Sequence, residues 1–490
     1  MENLLIKRSI SNCLTCENPP CSLACKHNVD PGKVLRSLKF KNYQGAIENL
    51  SDYCLNCDAP CINSCVIPNS VKIKDIISKC IEEKKKFNPE FKHVSLETDF
   101  CGFKLENPFL LSSSVVASTY DMCRRALLAG WAGVCFKTIC LFDIHEASPR
   151  FSALKNNDGS FSAFKNIEQL SDHSLVENFE IFRKLKKEFP NKFLLVSIMG
   201  RDEKEWKYLA REAQKAGADA LELNFSCPNM TEDNTGSDVG QIPELVEKYT
   251  RAVKEEVNIP VISKLTPNVA SPLPAAIAAK NGGADGIAAI NTIKSITEFN
   301  IIDSLYNKKL GKNIAVGGLS GSAVKPIALK FIAEIAKEEE LKNLHISAMG
   351  GIYTYEDAIM FLALGASSLQ VTTAVMEYGY RIIDDLINGL ELFLGTVGLH
   401  SLSELKGGLI NNVVNIEKIE RDYVIYPKFI RNTCVGCGRC YISCLDGGHQ
   451  AIKFENRIPI LDPKKCVGCH LCVLVCPTSS IVSSEIKIKK

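Results

Sequence analysis

The chain has 490 residues, 46% hydrophobic and 23% charged, with a formal net charge of +2. That length predicts roughly two to four domains with sizeable cores. The composition excludes extended disorder, and the near-neutral charge argues against nucleic-acid binding by general electrostatics. The N-terminal MENLLIKRSISNC lacks the apolar h-region of a signal peptide, and no run approaches the roughly 18 consecutive apolar residues of a membrane span. A cytoplasmic protein is expected.

Residues 1–90 are read as a helical iron–sulfur module. They carry CLTCENPPCSLAC (Cys13, Cys16, Cys21, Cys25) and CLNCDAPCINSC (Cys54, Cys57, Cys61, Cys65), which look like two copies of one unit. Between them VLRSLKFKNYQGAIENL has helical spacing, and EEKKKFNPEFKH (82–93) reads as a solvated linker. Residues 91–424 alternate short apolar strands, at 108–114, 133–138, 193–200, 220–226, 260–266, 286–292, 345–351 and 368–374, with amphipathic helices such as 243–257 and 354–365. Eight such strands predict a (β/α)8 TIM barrel, with an insertion over 139–192. Residues 425–490 return to cysteine groups, CVGCGRCYISC (Cys434, Cys437, Cys440, Cys444) and CVGCHLCVLVCP (Cys466, Cys469, Cys472, Cys476), flanking a strand-like AIKFENRIPIL. The expected fold is therefore α/β: a barrel between a helical iron–sulfur domain and a bacterial-type 2x[4Fe–4S] ferredoxin domain.

Each C-terminal group has the spacing C-x2-C-x2-C-x3-C, the ferredoxin run in which the fourth cysteine serves the other cluster. That assigns Cys434, Cys437, Cys440 and Cys476 to one [4Fe–4S] cluster and Cys466, Cys469, Cys472 and Cys444 to the second. The N-terminal spacings suit two further clusters, with zinc the competing occupant and the partition between clusters left open. Cys80, Cys101, Cys123, Cys135 and Cys140 stand outside the groups and are expected to pack as small apolar residues.

Chemistry in such a barrel sits at the C-terminal strand ends. The residues there are Ser112 and Ser113, Lys137 and Thr138, Asn224 and Cys227, Lys264, Asn291 and Thr292, Gly350 and Gly351, and Thr372 and Thr373. GGLSG (317–321) and AMGGI (348–352) supply small residues that let backbone N–H groups approach a phosphate. No G-x-G-x-x-G stands between a strand and a helix, so a mononucleotide such as FMN fits better than NAD or FAD.

FKTI, SPRF, FKNIEQ, LNFSCPNM, GSDVGQ, KLTPN, GGADGIAAINT, SGSAVKPIALKFI and YISCLDGGHQAI together resemble the pyrimidine-binding subunits of NAD-dependent dihydropyrimidine dehydrogenases, from about residue 97 to 485. Residues 1–80 resemble more weakly the helical cluster module of those enzymes, with Lys26 in place of the usual proline. The resemblance implies that Ser112, Ser113, Lys137, Lys264, Gly318, Gly350, Gly351, Thr372 and Thr373 hold FMN, a lysine near N1/O2 favouring the reduced, anionic ring. It implies that Asn166, Asn224, Asn291 and Thr292 read the imide edge of uracil or thymine, and that Cys227 is the acid/base. PNMTEDNTGSDVGQ, after Cys227, is expected to act as a lid. No nicotinamide or FAD domain is visible, so an FAD/NAD(P)H-binding partner subunit or a ferredoxin is expected, in an oligomer. The alternatives are a dihydroorotate dehydrogenase-type subunit, which needs a cation for the orotate carboxylate, and an electron-transfer subunit without pyrimidine turnover.

Overall fold

Parallel strands covered on both faces are mostly apolar, and, apart from inward polar residues such as Glu222, Lys264 and Gln370, so are the barrel strands. They are β1 (Phe109–Leu111), β2 (Gly133–Ile139), β3 (Phe193–Ile198), β4 (Ala220–Asn224), β5 (Val261–Lys264), β6 (Gly286–Ala289), β7 (His345–Met349) and β8 (Ser368–Val371). Every residue of β2, β3 and β4 is buried. In this computed structural model, which describes residues 4–27, 29–48, 50–67, 71–84, 94–297, 299, 301–306 and 314–489, the eight strands close into a parallel barrel in chain order. The observed strands stop short of several predicted ends because the chain turns there into site loops. The predicted linker lies outside the described residues from 85 onward.

The described chain forms two compact units. One gathers Met1–Leu35, Leu50–Glu83 and Val414–Lys490; the other gathers Arg36–Asn49 and Lys84–Val413.

In the barrel unit, helix starts follow local chemistry. Ser174 and Glu177 form a capping box at Leu175–Glu188, Asp202 accepts from Lys204 and Glu205 N–H at Glu203–Lys215, and Thr354 with Asp357 boxes Tyr355–Ala363. Below the strands a hairpin, Thr98–Phe100 with Phe103–Leu105, turns on Cys101 and Gly102, both left-handed (φ 53° and 83°). Its Phe100 and Leu105 join Leu110, Cys135, Phe193 and Leu195 in an apolar plug. Polar interior side chains are left to the other end.

The predicted insertion is real. Strands Phe151–Lys155 and Phe161–Asn166 pair, and with Gly317–Ser320 and Ile293–Ser295 they make a four-stranded antiparallel sheet. The helical stretch after Cys25 is two helices, Pro31–Lys39 and Tyr43–Glu48, broken where Lys41 takes φ 62°. Its later part belongs to the barrel unit: Arg36 Nε donates to the buried Asp385 at 2.8 Å and Ser37 Oγ at 2.5 Å, on helix Ile382–Thr396.

In the other unit the helices around the N-terminal cysteines, Pro20–Leu23, Tyr53–Asn56 and Pro60–Asn63, are one turn each. The C-terminal region pairs Tyr423–Phe429 with Ile481–Lys489, and the strand-like AIKFENRIPIL is a hairpin of two strands, Ile452–Glu455 with Ile458–Leu461. Among the described residues no helix is long and apolar enough to cross a membrane.

Candidate active site and thiol clusters

A cavity of about 1030 Å³ opens at the C-terminal ends of the strands. It is lined by Ser112, Ser113, Lys137, Asn166, Asn224, Cys227, Lys264, Asn291, Thr292, Gly350, Gly351, Thr372 and Thr373. Of the named residues only Gly318 is absent from its walls. Gly318 pairs with Asn166 across the insertion sheet and abuts Thr292, while Leu319, Ser320 and Gly321 reach the cavity.

One end of the cavity is built for close backbone approach. Gly350 and Gly351 are left-handed (φ 116° and 80°), and a Cβ on Gly351 would meet the Lys325 side chain at 2.7 Å and Gly321 O at 3.0 Å. Hydroxyl pairs bridge the facing loops there: Ser114 with Thr372 at 3.1 Å, and Ser320 with Thr373 at 2.9 Å. Such an end suits a phosphate.

The floor is charged. Lys264, 3% exposed, pairs with Glu222, 0% exposed, at 3.1 Å. Burial pushes the Glu222 carboxyl up, but Lys264, Ser113 and Gln370 outweigh it and leave it below the usual carboxylate range. Gln370 Oε1 is buried and has no partner in the protein. A buried ammonium in the cavity floor, beside the wall residue Gln370, fits a flavin ring that carries both donors and acceptors.

The amides are held by one another. Asn224 Nδ2 donates to Thr138 Oγ1 (2.9 Å), Ser226 Oγ donates to Asn224 Oδ1 (2.9 Å), and Asn291 Nδ2 donates to Ser226 Oγ (2.8 Å). Ser226 thus fixes which face each amide presents. Asn229 Nδ2 is near Asn166 O and Oδ1 (3.2 Å each) and Glu168 O (3.0 Å), fastening the segment after Cys227 to the insertion strand. Neither residue emerged from sequence reasoning, although both lie within the quoted LNFSCPNM.

Glu168 was also missed. It faces Lys137 at 3.6 Å and Arg150 at 2.9 Å, with Glu146 at 4.0 Å from Lys137. Burial raises its pKa, and the nearby cations only partly offset this. The signal was present in FKNIEQ, two residues after Asn166, but a carboxylate on a loop carries little weight alone.

Cys227 stands three residues past the end of β4 and is 7% exposed. Burial pushes its thiol up to about 11, against the smaller lowering effect of the Asn229 N–H. Its carbonyl accepts from Ser237 N–H at 2.9 Å, closing a loop. Gly236 takes φ 54°, and a Cβ there would come within 2.3 Å of that carbonyl oxygen, so only glycine fits.

In the other unit the thiols gather in fours. Cys434, Cys437, Cys440 and Cys476 line one cavity, and Cys444, Cys466, Cys469 and Cys472 another, the crossed partition expected from spacing. The N-terminal groups cross too: Cys13, Cys16, Cys21 and Cys65 line one cavity, Cys25, Cys54, Cys57 and Cys61 the second. Four convergent thiols in an apolar shell suit a soft metal centre. The 22 cysteines form no disulfide. Of those outside the groups, Cys80, Cys123 and Cys135 are buried, while Cys101 and Cys140 are partly exposed.

Comparison with known proteins agrees with this geometry. Residues 95–394 match the dihydroorotate dehydrogenase family model, and residues 429–483 match a 4Fe-4S dicluster domain. The chain is 51% identical over 402 residues to NAD-dependent dihydropyrimidine dehydrogenase subunit PreA of Escherichia coli K12, covering 81% of this chain and 97% of that protein. It is 33% identical over 318 residues to the chloroplastic dihydropyrimidine dehydrogenase (NADP(+)) of Arabidopsis thaliana, covering 62% of this chain and 75% of that one. It is 36% identical over 312 residues to the catalytic subunit of dihydroorotate dehydrogenase B (NAD(+)) of Pyrococcus abyssi, covering 64% of this chain and 98% of that one. The chain is therefore an oxidoreductase of the dihydroorotate dehydrogenase family, in the ferredoxin-fused form to which the dihydropyrimidine dehydrogenase subunits belong.

Proposed function

We propose that this chain interconverts uracil or thymine with the 5,6-dihydropyrimidine. FMN bound at the barrel mouth would supply or accept hydride at pyrimidine C6. Ser112, Ser113, Lys137, Lys264, Gly350, Gly351, Thr372 and Thr373 are the residues to hold it, with Gly318 acting behind the cavity wall. Asn166, Asn224, Asn291 and Thr292 bind the imide edge, since amides offer both a donor and an acceptor. Cys227 transfers the proton at C5. Its buried thiol stays protonated at neutral pH, which favours donation and hence reduction of the pyrimidine. The segment after Cys227 serves as the lid that shields this proton transfer from water.

The four thiol cavities are the proposed sites of four [4Fe–4S] clusters, which would carry electrons to or from the flavin. The proposed functional division is 1–90, 91–424 and 425–490, with residues 36–49 packed into the barrel unit. An FAD/NAD(P)H-binding partner subunit or a ferredoxin exchanges electrons with this chain in a cytoplasmic oligomer. The Escherichia coli relative is itself named as a subunit.

The observation that carries the pyrimidine reading over dihydroorotate is the state of the cavity's cations. Lys264 is paired with Glu222, and Lys137 with Glu168 and Glu146; among the described residues no other cationic side chain lines the cavity. Nothing uncommitted is left to meet the carboxylate of orotate. Anaerobically purified protein, with iron and flavin counted, should be reoxidised after photoreduction by uracil or thymine. Reoxidation by orotate in preference to uracil would overturn this reading, and reoxidation by neither would leave an electron conduit.

A further inference from the structure

Five side chains from separate parts of the barrel close one polar network under the cavity floor. Lys264 Nζ on β5 donates to Ser113 Oγ (2.8 Å) and to Glu222 Oε1 on β4 (3.1 Å). Ser113 Oγ donates to the same carboxylate oxygen at 2.6 Å. Gln370 Nε2 on β8 donates to the other, Oε2, at 2.9 Å, and to Ser347 Oγ on β7 at 3.1 Å. The carboxylate is 0% exposed and the ammonium residue 3%. Two apolar side chains would fill this space without desolvating two charges, so packing alone does not account for the pair. The other thiols against it, Cys135 on β2 and Cys227, are held neutral by burial, and Lys137 is committed to Glu168 and Glu146.

We propose that Glu222 is a positioning residue that keeps Lys264 protonated and aimed at the cavity, so that a flavin bound there is always reduced beside a fixed positive charge. The inference rests on the flavin reading above and extends it to a residue that touches neither substrate nor hydride. Its consequence is a proton count. With Lys264 charged throughout, two electrons and one proton convert the oxidised flavin to the reduced anion. Without the carboxylate, a buried lysine sheds its proton. Reduction must then also protonate Nζ, and two electrons are accompanied by two protons.

The test is the pH dependence of the flavin midpoint potential, measured anaerobically by spectroelectrochemistry on the holoprotein between about pH 7 and 9, away from the ordinary carboxyl and lysine pKa values. The wild type is expected to take up one proton per two electrons and Glu222→Gln two. The double variant Glu222→Gln/Lys264→Met, which has no amine to protonate, should return to one. A purely structural role for Glu222 would not produce that reversal. Two protons in the wild type, or one in FMN-loaded Glu222→Gln, would overturn the proposal, and the wild-type arm can overturn it even if the single variant does not fold. A wild-type protein that binds no FMN would instead overturn the flavin reading, and this inference with it.

Discussion

The barrel unit and the cysteine-bearing unit are stabilised in different ways. The barrel buries Phe136, Phe193, Leu195, Val196 and Leu221 completely, each contributing about 1.5–3 kcal/mol. The described core around the C-terminal thiols consists of Cys440, Cys444, Ala451, Ile452, Cys472 and Ile481, half of them cysteines. Leu23, Tyr53, Val66 and Leu474 stay exposed near the cysteine groups. One-turn helices without side-chain caps do not form on their own. The barrel folds on apolar area throughout; the thiol-bearing unit buries Leu35, Ile73, Ile76 and Ile81 in its N-terminal half, and its C-terminal half, with few apolar side chains, is expected to depend on what its thiols bind.

The widest test of that contrast is removal of iron. Chelation under reducing conditions should abolish protection of residues 1–35 and 414–490 while leaving the barrel helices protected in hydrogen exchange. Structural metal in small modules is worth on the order of 10 kcal/mol. Equal loss of protection in both units would break the comparison.

Next in size is Cys227→Ala. It should keep FMN and iron but lose about 10²–10⁴-fold in turnover, the usual worth of a general acid. The same residue gives a pH signature. Pyrimidine reduction needs the thiol, so its rate should stay level through neutral pH and fall as pH rises through about 11. The reverse reaction needs the thiolate and should rise about tenfold per pH unit towards that value.

A truncation inside the barrel, Leu221→Ala, should cost about 2–5 kcal/mol in denaturant unfolding of the barrel, with the iron content unchanged. Smallest is Ser174→Ala, which removes a capping box from the helix Leu175–Glu188 and should cost about 1 kcal/mol in the same transition.

Much of this was legible in the chain. Apolar runs of six to eight residues, most of them followed by a helical pattern, pointed to a parallel barrel rather than an open sheet, and the eight strands close into one. The strand-end polar residues followed from that topology, because the ends of parallel strands converge. The ferredoxin spacing fixed the crossed C-terminal thiols, since C-x2-C-x2-C-x3-C repeats leave little geometric choice.

Other features depended on contacts between residues far apart in sequence. The N-terminal thiols cross between groups, Cys65 joining Cys13, Cys16 and Cys21, because the one-turn helices Pro20–Leu23 and Pro60–Asn63 pack side by side. Arg36–Asn49 belongs to the barrel unit because Asp385, 349 residues away from Arg36, is buried and requires a partner. Glu222 in ALELN reads in sequence as a polar interruption of an apolar strand. Only closure of the barrel brings Ser113, Lys264 and Gln370 around it. Periodicity and spacing are local and survive in the sequence, but the pairing of buried charges depends on which strands meet, and that is decided by the tertiary structure.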